Sequence, residues 1–251
     1  MVKNRISKAE YEDHLEREHS LSTFSEYLKE IVYGGVDGIV TTFAVVAGFA
    51  GAQGDPGTTL SISSVAVLLF GFANLFADAT SMGLGNVLSM RADQDVYRRE
   101  RRRELDEIKN NSSFEKAESV HILKERGFGA KDAETITGIY AKNPDYWADF
   151  MMNHELEMGN PEHDNPWLTG FATFLSFIAF GAIPLFPYII LRSDPNIFFI
   201  ASTATFGALV LLGILRWRTT RESVMRSIGE IVLLGGVSAT VAYAVGTLFR
   251  G

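Results

Sequence analysis

The sequence predicts an all-α integral membrane protein of five transmembrane helices, with a charged helical domain inserted between the second and the third. One observation is five apolar runs, each with about the 20 residues that a helix needs to cross a hydrocarbon core roughly 30 Å thick. The runs cover residues 31–53, 62–88, 167–191, 197–215 and 228–248. The other observation is the distribution of the 53 charged side chains, of which 12 lie in residues 1–30 and 29 in residues 91–166.

The composition excludes several other classes of protein. A chain of 251 residues with 47% hydrophobic residues and 18 Phe can bury a large core, which excludes intrinsic disorder. The absence of cysteine excludes a disulfide-stabilised scaffold, a thiolate metal site and a cysteine nucleophile. The net charge of −7 argues against a nucleic-acid partner, because such polyanions require a basic surface.

Residues 1–30 form a polar N-terminal segment. The segment lacks the basic start, apolar run and small-residue cleavage site of a signal peptide, so none is predicted. Apolar residues recur among its charges and predict an amphipathic helix; they are Leu15, Leu21, Phe24 and Leu28. Such a helix either lies on the membrane surface or packs on the rest of the protein.

Residues 31–90 contain the first two predicted spans, and residues 167–251 contain the last three. The connections at 54–61 and 192–196 are short, and each contains an Asp-Pro turn signal. Pro184 lies in the third span, with a further proline at position 187. Because proline lacks a backbone N–H, these two residues predict a kink in that span.

The distribution of Lys and Arg predicts the orientation in the membrane. With a cytoplasmic N-terminus, the inside segments 1–30, 91–166 and 216–227 carry 5, 12 and 4 basic residues. The outside segments carry only Arg192 and Arg250. Basic residues concentrate in the cytoplasmic loops of membrane proteins, so a cytoplasmic N-terminus is predicted.

The segment 91–166 is too long for a simple connection and predicts a small cytoplasmic helical domain. Its acidic residues outnumber its basic residues by 17 to 12. Capping and breaking signals predict four helices, the second of which begins with a serine cap at Ser113. The four predicted helices are 91–110, 113–126, 132–140 and 145–158.

Polar residues inside the predicted spans are candidates for function, because an ionisable group in hydrocarbon is costly unless it is paired or hydrated. Asp37 lies one to two turns into the first span, and Thr41 is one turn further on the same face. The second span carries a polar stripe at helical spacing, formed by Asn74, Asp78, Met82, Gly85 and Ser89. These groups can replace part of a cation's hydration shell.

A structural interpretation of the same residues stays open. Asp37 and Asp78 could be protonated or hydrogen-bonded groups that serve packing alone. Glu230, near one end of the last span, is interpreted as an interfacial or helix-pairing residue.

The inserted segment carries two Glu-x-x-Glu pairs, and a spacing of three places both members of a pair on one helix face. The pairs and the residues that follow are Glu104 and Glu107, Glu115 and Glu118, and then Met151, Met152 and Glu155. Carboxylates suit hard or intermediate divalent cations, and thioether sulfur favours a transition metal such as Fe²⁺ over Mg²⁺. The alternative is a solvated acidic face. A di-iron oxidase of the four-helix type uses a Glu-x-x-His pair from each of two helices, and the inserted segment has only one, Glu118 with His121, which disfavours that class.

The chain resembles the vacuolar iron transporter family over nearly its whole length. The resemblance rests on YGGVDGIVTTFAVVAG at 33–48, NLFADATSMGLG at 74–85 and FMMNHELEM at 150–158. The order of five spans with a helical insertion after the second also matches.

The resemblance implies proton-coupled export of cytosolic Fe²⁺ by a homodimer, with the path near the subunit interface. It implies that Asp37 and Met82 lie on the membrane path. It also implies that the metal-binding domain uses Glu104, Glu107, Glu115, Glu118, Glu155, Met151 and Met152. Two departures concern this path: Asn86 and Asn74 stand where members of the family carry acidic residues.

The leading hypothesis is therefore a divalent-metal/proton antiporter that is not an enzyme and has no prosthetic group. Fe²⁺ is the expected substrate, with Mn²⁺, Co²⁺ and Zn²⁺ as alternatives. The expected location is the cytoplasmic membrane of a bacterium or a vacuole-type membrane of a eukaryote. A membrane-anchored iron sensor or buffer is the second hypothesis, and a carboxylate-site ferroxidase is a weaker third.

Overall fold

The computed structural model describes residues 7, 11, 13, 14, 23–53, 64–191, 194–220 and 222–249, and this part of the chain contains helices but no strand. A single helical turn, Thr23–Glu26, precedes the first long helix. The helices that follow are α1 (Leu28–Ala52), α2 (Ser64–Asn110), α3 (Ser112–Glu125), α4 (Ala130–Tyr140), α5 (Pro144–His154), α6 (Pro166–Gly181), α7 (Phe186–Ile190), α8 (Ile197–Thr220) and α9 (Val224–Thr247).

Five helical segments are long and apolar enough to cross a membrane. They are α1, the apolar part of α2, the combined segment Pro166–Ile190, α8 and α9. The predicted all-α fold with five spans is therefore confirmed. The predicted amphipathic residues Leu15 and Leu21 lie outside the described residues, as does the connection at 54–61.

The third span is interrupted where its prolines predict a kink. Helix α6 ends at Gly181, a 3₁₀ turn covers Ile183–Leu185, and α7 begins at Phe186. The Leu185 N–H donates to the carbonyl of Ala182 at 3.0 Å, so a tighter turn satisfies a backbone group at the break. Pro184 occupies this turn, and Pro187 lies in the first turn of α7.

Three predicted boundaries are wrong. The predicted elements at 62–88 and 91–110 belong to one 47-residue helix, α2, because no glycine or proline separates them. Helix α3 begins at Ser112 with Asn111 at its N-cap and no side-chain capping hydrogen bond, so Ser113 is not the cap. Helix α5 ends at His154 and not at Met158. Glu157 has a φ of 52°, a left-handed conformation that ends a helix.

The chain forms two compact units. One comprises Met1–Gly85 and Leu168–Gly251, and the other comprises Asn86–Trp167. The first is the membrane unit and the second is called the acidic unit below. The acidic unit has its own apolar core, formed by Ile108, Leu123, Ala133, Trp147, Ala148, Phe150 and Met151.

Polar contacts close the acidic unit around this core. Arg101 forms ion pairs with Asp149 at 2.7 Å and with Asp145 at 3.3 Å, which joins α2 to α5. The Gln94 amide donates to the carbonyls of Pro161 and Asp164, at 3.0 and 3.2 Å. These contacts hold the segment after α5 against α2.

Glycines let α1 pack closely against its neighbours in the membrane unit. A Cβ atom at Gly38 would collide with the carbonyl oxygen of Phe177 in α6, and one at Gly34 would lie 2.7 Å from the carbonyl oxygen of Thr173. The Ser176 hydroxyl donates to the carbonyl of Ile31 at 2.7 Å across the same crossing. Small residues are typical of such close helix contacts in membranes.

We expect Gly38→Ala to destabilise the membrane unit by about 1–3 kcal/mol, because the colliding atom is rigid backbone. Gly85→Ala is the matched control, since nothing lies within 4 Å of a Cβ atom there. Thermal unfolding of the detergent-solubilised protein measures both. An unchanged Tm for Gly38→Ala, or an equal fall for the control, would contradict the close crossing.

Candidate functional site

Three parts of the acidic unit supply the five predicted glutamates. Glu104 and Glu107 lie near the end of α2, and Glu115 and Glu118 lie in α3. Glu155 is the residue directly after α5. A tight connection at Asn111 turns the chain from α2 to α3, which brings the two Glu-x-x-Glu pairs together.

The structure brings the five carboxylates into two overlapping groups. Glu104, Glu107 and Glu115 form one, and Glu115, Glu118 and Glu155 form the other. Within each group, one carboxylate oxygen per residue lies within 4.8 Å of the others. Glu115 belongs to both groups, so the five side chains form one continuous acidic cluster.

Burial distinguishes the members of this cluster. Glu104 is 2% exposed and Glu115 is 1% exposed, whereas the side chain of Glu107 is 47% exposed. Glu118 is half-buried and Glu155 is exposed, at the edge of the cluster. A solvated acidic face therefore describes Glu107 but not the two buried carboxylates.

The buried carboxylates lack partners for part of their oxygens. Among the described residues, Glu104 Oε1 and Glu115 Oε2 are buried and accept no hydrogen bond. Buried polar atoms are nearly always hydrogen-bonded, and an unpartnered one is costly. These two oxygens can be satisfied by a proton or by a cation.

The electrostatics of the cluster favour uptake of positive charge. Burial, followed by the neighbouring Glu115 and Glu155 carboxylates, raises the pKa of Glu104 to about 8. Burial is also the main cause that raises the pKa of Glu115 and of Glu155. Arg103 partly opposes this for Glu155 and forms an ion pair with Glu107 at 3.2 Å.

The two predicted methionines are in the interior of the acidic unit. Met151 and Met152 are both fully buried. The Met151 sulfur accepts a hydrogen bond from the Ser119 hydroxyl at 3.2 Å, and Ser119 accepts one from Trp147 Nε1 at 2.7 Å. Ser119 therefore connects α3, which carries Glu115 and Glu118, to α5, which ends directly before Glu155.

Ser119 and Trp147 are absent from the residues that sequence reasoning singles out. The signal that could have found Ser119 is its position one turn after Glu115, on the same face of α3. Trp147 offers no comparable signal, because a tryptophan among apolar residues is typical of any core.

The polar residues of the second span are only partly brought together. Asn74, Asp78 and Met82 are half-buried on one face of α2, and the Asn74 amide donates to Asp78 Oδ2 at 2.7 Å. Gly85 and Ser89 are exposed and extend no buried stripe.

Asp37 is half-buried in α1 and close enough to Asp78 for their charges to interact. Thr41 donates to the Asp37 backbone carbonyl at 2.8 Å and not to its carboxylate. Glu230 forms ion pairs with Arg216 at 2.8 Å and with Arg226 at 3.0 Å, which agrees with the helix-pairing interpretation.

Comparison with known proteins addresses the family. Residues 28–247 match the family model described as VIT family. A vacuolar iron transporter of Toxoplasma gondii is 34% identical over 243 residues, covering 93% of this chain and 78% of the relative. Vacuolar iron transporter 1 of Arabidopsis thaliana is 30% identical, covering 93% of this chain and 89% of the relative.

A vacuolar iron transporter of Plasmodium berghei is 33% identical over 245 residues, covering 92% of this chain and 85% of the relative. These matches span both units, and the resemblance found in the sequence is confirmed. The chain belongs to the VIT family.

Proposed function

We propose that this protein transports iron across a membrane, exporting Fe²⁺ from the cytoplasm in exchange for protons. The observation that carries the proposal is the convergence of five glutamates on the buried Glu115 carboxylate. The names of the relatives, which are iron transporters, support iron as the substrate. The five apolar helices supply the membrane body that transport requires.

The acidic unit would gather the cation. Its oxygen ligands suit a divalent ion, and thioether sulfur from Met151 and Met152 would favour a transition metal over Mg²⁺. Because its carboxylates must lose their protons to bind a metal, Fe²⁺ binding would release protons. We place this unit, together with the N-terminus, on the cytoplasmic side, where the basic residues of the sequence concentrate.

In the membrane unit, Asp37 would bind the cation when ionised and release it when protonated from the far side. One carboxylate that accepts either the metal or a proton couples the two fluxes. Asp78, Asn74 and Met82 would line the same path, and Met82 would contribute a soft ligand. We further propose a homodimer with the path near the subunit interface.

A membrane-anchored iron sensor or buffer is the second candidate. The observation in its favour is that the whole glutamate cluster lies within the acidic unit of one chain. This candidate requires metal binding without flux. The polar groups on one face of the second span favour transport, because an anchor has no use for them.

The transport role predicts that Asp37→Asn abolishes Fe²⁺ uptake into proteoliposomes with an acidic interior. The amide cannot exchange a proton for the metal. Asp132→Asn, an exposed carboxylate in α4, is the control and should transport normally. Fe²⁺ flux under anaerobic conditions measures both, alongside metal binding, which Asp37→Asn leaves intact. Robust Fe²⁺ uptake by Asp37→Asn would contradict the proposed role of Asp37 in transport. If the unaltered protein binds Fe²⁺ but does not take it up, the sensor or buffer hypothesis is supported instead.

Glu115→Gln should weaken divalent-metal binding more than Glu118→Gln does, because only Glu115 belongs to both groups. We expect the affinity for the metal to fall by more than roughly 10- to 100-fold, which is the usual effect of removing a residue that only hydrogen-bonds to a metal ligand. Calorimetric titration with Co²⁺, which is stable in air, measures the affinity. Glu134→Gln is the control, on an exposed position of α4.

The same variant has a second readout that separates lost binding from misfolding. Removing one buried carboxylate relieves repulsion, so the Tm of metal-free Glu115→Gln should rise. A fall in that Tm together with lost binding would indicate a folding defect and would argue against a ligand role.

The raised pKa of Glu104 predicts how stability depends on pH. Glu104 keeps its proton up to a pH of about 8 in the folded protein, but loses it near 4.5 when unfolded. The unfolded state therefore binds fewer protons between these values, and the metal-free protein loses stability as the pH rises, by at most about 1.4 kcal/mol per pH unit for this group.

Thermal unfolding from pH 5 to pH 8.5 measures this dependence. Glu104→Gln should flatten it, and added Co²⁺ should stabilise the unaltered protein most at the alkaline end. Stability that instead rises with pH across this window would contradict the raised pKa.

A further inference from the structure

Ser119 donates its hydroxyl proton to a neighbouring helix. Hydroxyl groups inside helices commonly donate to the carbonyl four residues earlier, as Thr135 does at 2.8 Å and Thr205 at 2.7 Å. The Ser119 hydroxyl instead donates to the Met151 sulfur at 3.2 Å. A serine hydroxyl carries one proton, so this bond uses the only donor that the Ser119 side chain has.

The core of the acidic unit fixes the orientation of this hydroxyl. The Ser119 oxygen accepts a hydrogen bond from Trp147 Nε1 at 2.7 Å. Trp147 is 1% exposed and belongs to the apolar core, and Ser119 is fully buried, so water does not compete for either bond. Two hydrogen bonds in series therefore tie the Met151 sulfur to the packed interior.

The bond between Ser119 and Met151 lies one helical turn from the acidic cluster. Ser119 follows Glu115 by four residues in α3, and Met151 precedes Glu155 by four residues at the end of α5. The Glu155 N–H donates to the Met151 carbonyl at 2.8 Å, as in an α-helix. Glu115 and Glu155 also face each other, with carboxylate oxygens within 4.8 Å. The two helices thus present two facing pairs, about 6 Å apart along the helix axes.

This arrangement prepares a sulfur ligand beside the carboxylates. A methionine side chain has three rotatable bonds, so a sulfur without a partner samples many positions. The bond from Ser119 occupies one lone pair of the Met151 sulfur and leaves the other for a cation. Residues that hydrogen-bond to a metal ligand orient that ligand, and their loss weakens metal binding.

We propose that Ser119 is a positioning residue, which holds the Met151 sulfur beside the glutamates and so raises the preference of the acidic cluster for Zn²⁺-like soft cations over Mn²⁺. Thioether sulfur favours softer transition metals, whereas carboxylates alone suit Mn²⁺. The inference rests on the proposed function, because it requires that the cluster binds a divalent metal. It adds a residue that selects among such metals without touching them.

The experiment compares the affinities of the full-length protein for Zn²⁺ and for Mn²⁺ by calorimetric titration. Ser119→Ala should lower the Zn²⁺ affinity about tenfold and leave the Mn²⁺ affinity nearly unchanged, whereas a merely structural role would lower both together. Thr137→Val is the matched control, because it removes a hydroxyl that is buried in the same unit without a hydrogen-bond partner among the described residues. In a Met151→Leu background, Ser119→Ala should have no further effect on the ratio.

A second measurement uses the unaltered protein and does not depend on how the variants fold. Methionine labelled with ¹³C at its ε-methyl group reports on the surroundings of the sulfur by NMR. Saturation with Zn²⁺ should move the Met151 resonance but not that of Met225, which is 84% exposed. Met151→Leu identifies the resonance by its disappearance. In metal-free Ser119→Ala, the Met151 resonance should move towards that of Met225, because the sulfur then samples several rotamers.

The outcomes separate this inference from the proposed function. An unchanged or higher ratio of Zn²⁺ to Mn²⁺ affinity in Ser119→Ala overturns the inference, as does an equal fall of the ratio in Thr137→Val. A Met151 resonance that stays in place at saturating Zn²⁺ also overturns it, because the sulfur then takes no part in binding. These results leave the proposed function standing. If the unaltered protein binds neither cation, the proposed metal site fails and the inference fails with it.

Discussion

Close approach of helix backbones along α1 is the constraint on which the membrane unit depends. Gly34 and Gly38 lie against the backbone of α6, Gly35 lies against Leu212 of α8, and Gly51 lies against α9. No other helix of this unit is contacted through glycines on so many sides in the part described. Lipid offers little hydrophobic drive for helix association, so dense packing at small residues must supply it. The adjacent Asp37 is thereby fixed on the most constrained helix of the unit.

The acidic unit is organised by the opposite kind of interaction. Its apolar core and the Arg101 ion pairs hold together helices whose facing glutamates repel each other. Burying a charged group without a partner is unfavourable. The pKa values of Glu104 and Glu115 are therefore raised, and these carboxyl groups keep their protons more readily than exposed ones. The unit is therefore built so that a proton or a cation completes it. That property links the packing of three helices to the chemistry of a cation carrier.

The sequence predicts much of this fold, for a physical reason. Apolar runs of spanning length are a direct consequence of the bilayer and need no knowledge of tertiary contacts. The Glu-x-x-Glu spacing likewise predicts that each pair shares a helix face. It does not predict that Glu104, Glu115 and Glu155 converge, because their meeting depends on the turn at Asn111 and on the core beneath Trp147.

Other features depend on tertiary context that local patterns do not encode. The end of α5 is followed by the left-handed conformation at Glu157, which a glutamate, unlike glycine or asparagine, gives no reason to expect. The hydrogen bond from Ser119 to Met151 requires α3 and α5 to be packed together.

The shared position of Glu115 has a consequence for the order in which ligands bind. Two groups that draw on the same carboxylate are not independent, so occupancy of one changes the free energy of filling the other. If the carboxylate bridges two ions, the first ion prepares the second; if it serves only one, the first ion hinders the second. If the proposed site holds two ions, a divalent-ion titration of the cluster departs from a simple hyperbola. A weakly bound second ion also dissociates quickly, which suits delivery of the ion for transport better than iron storage.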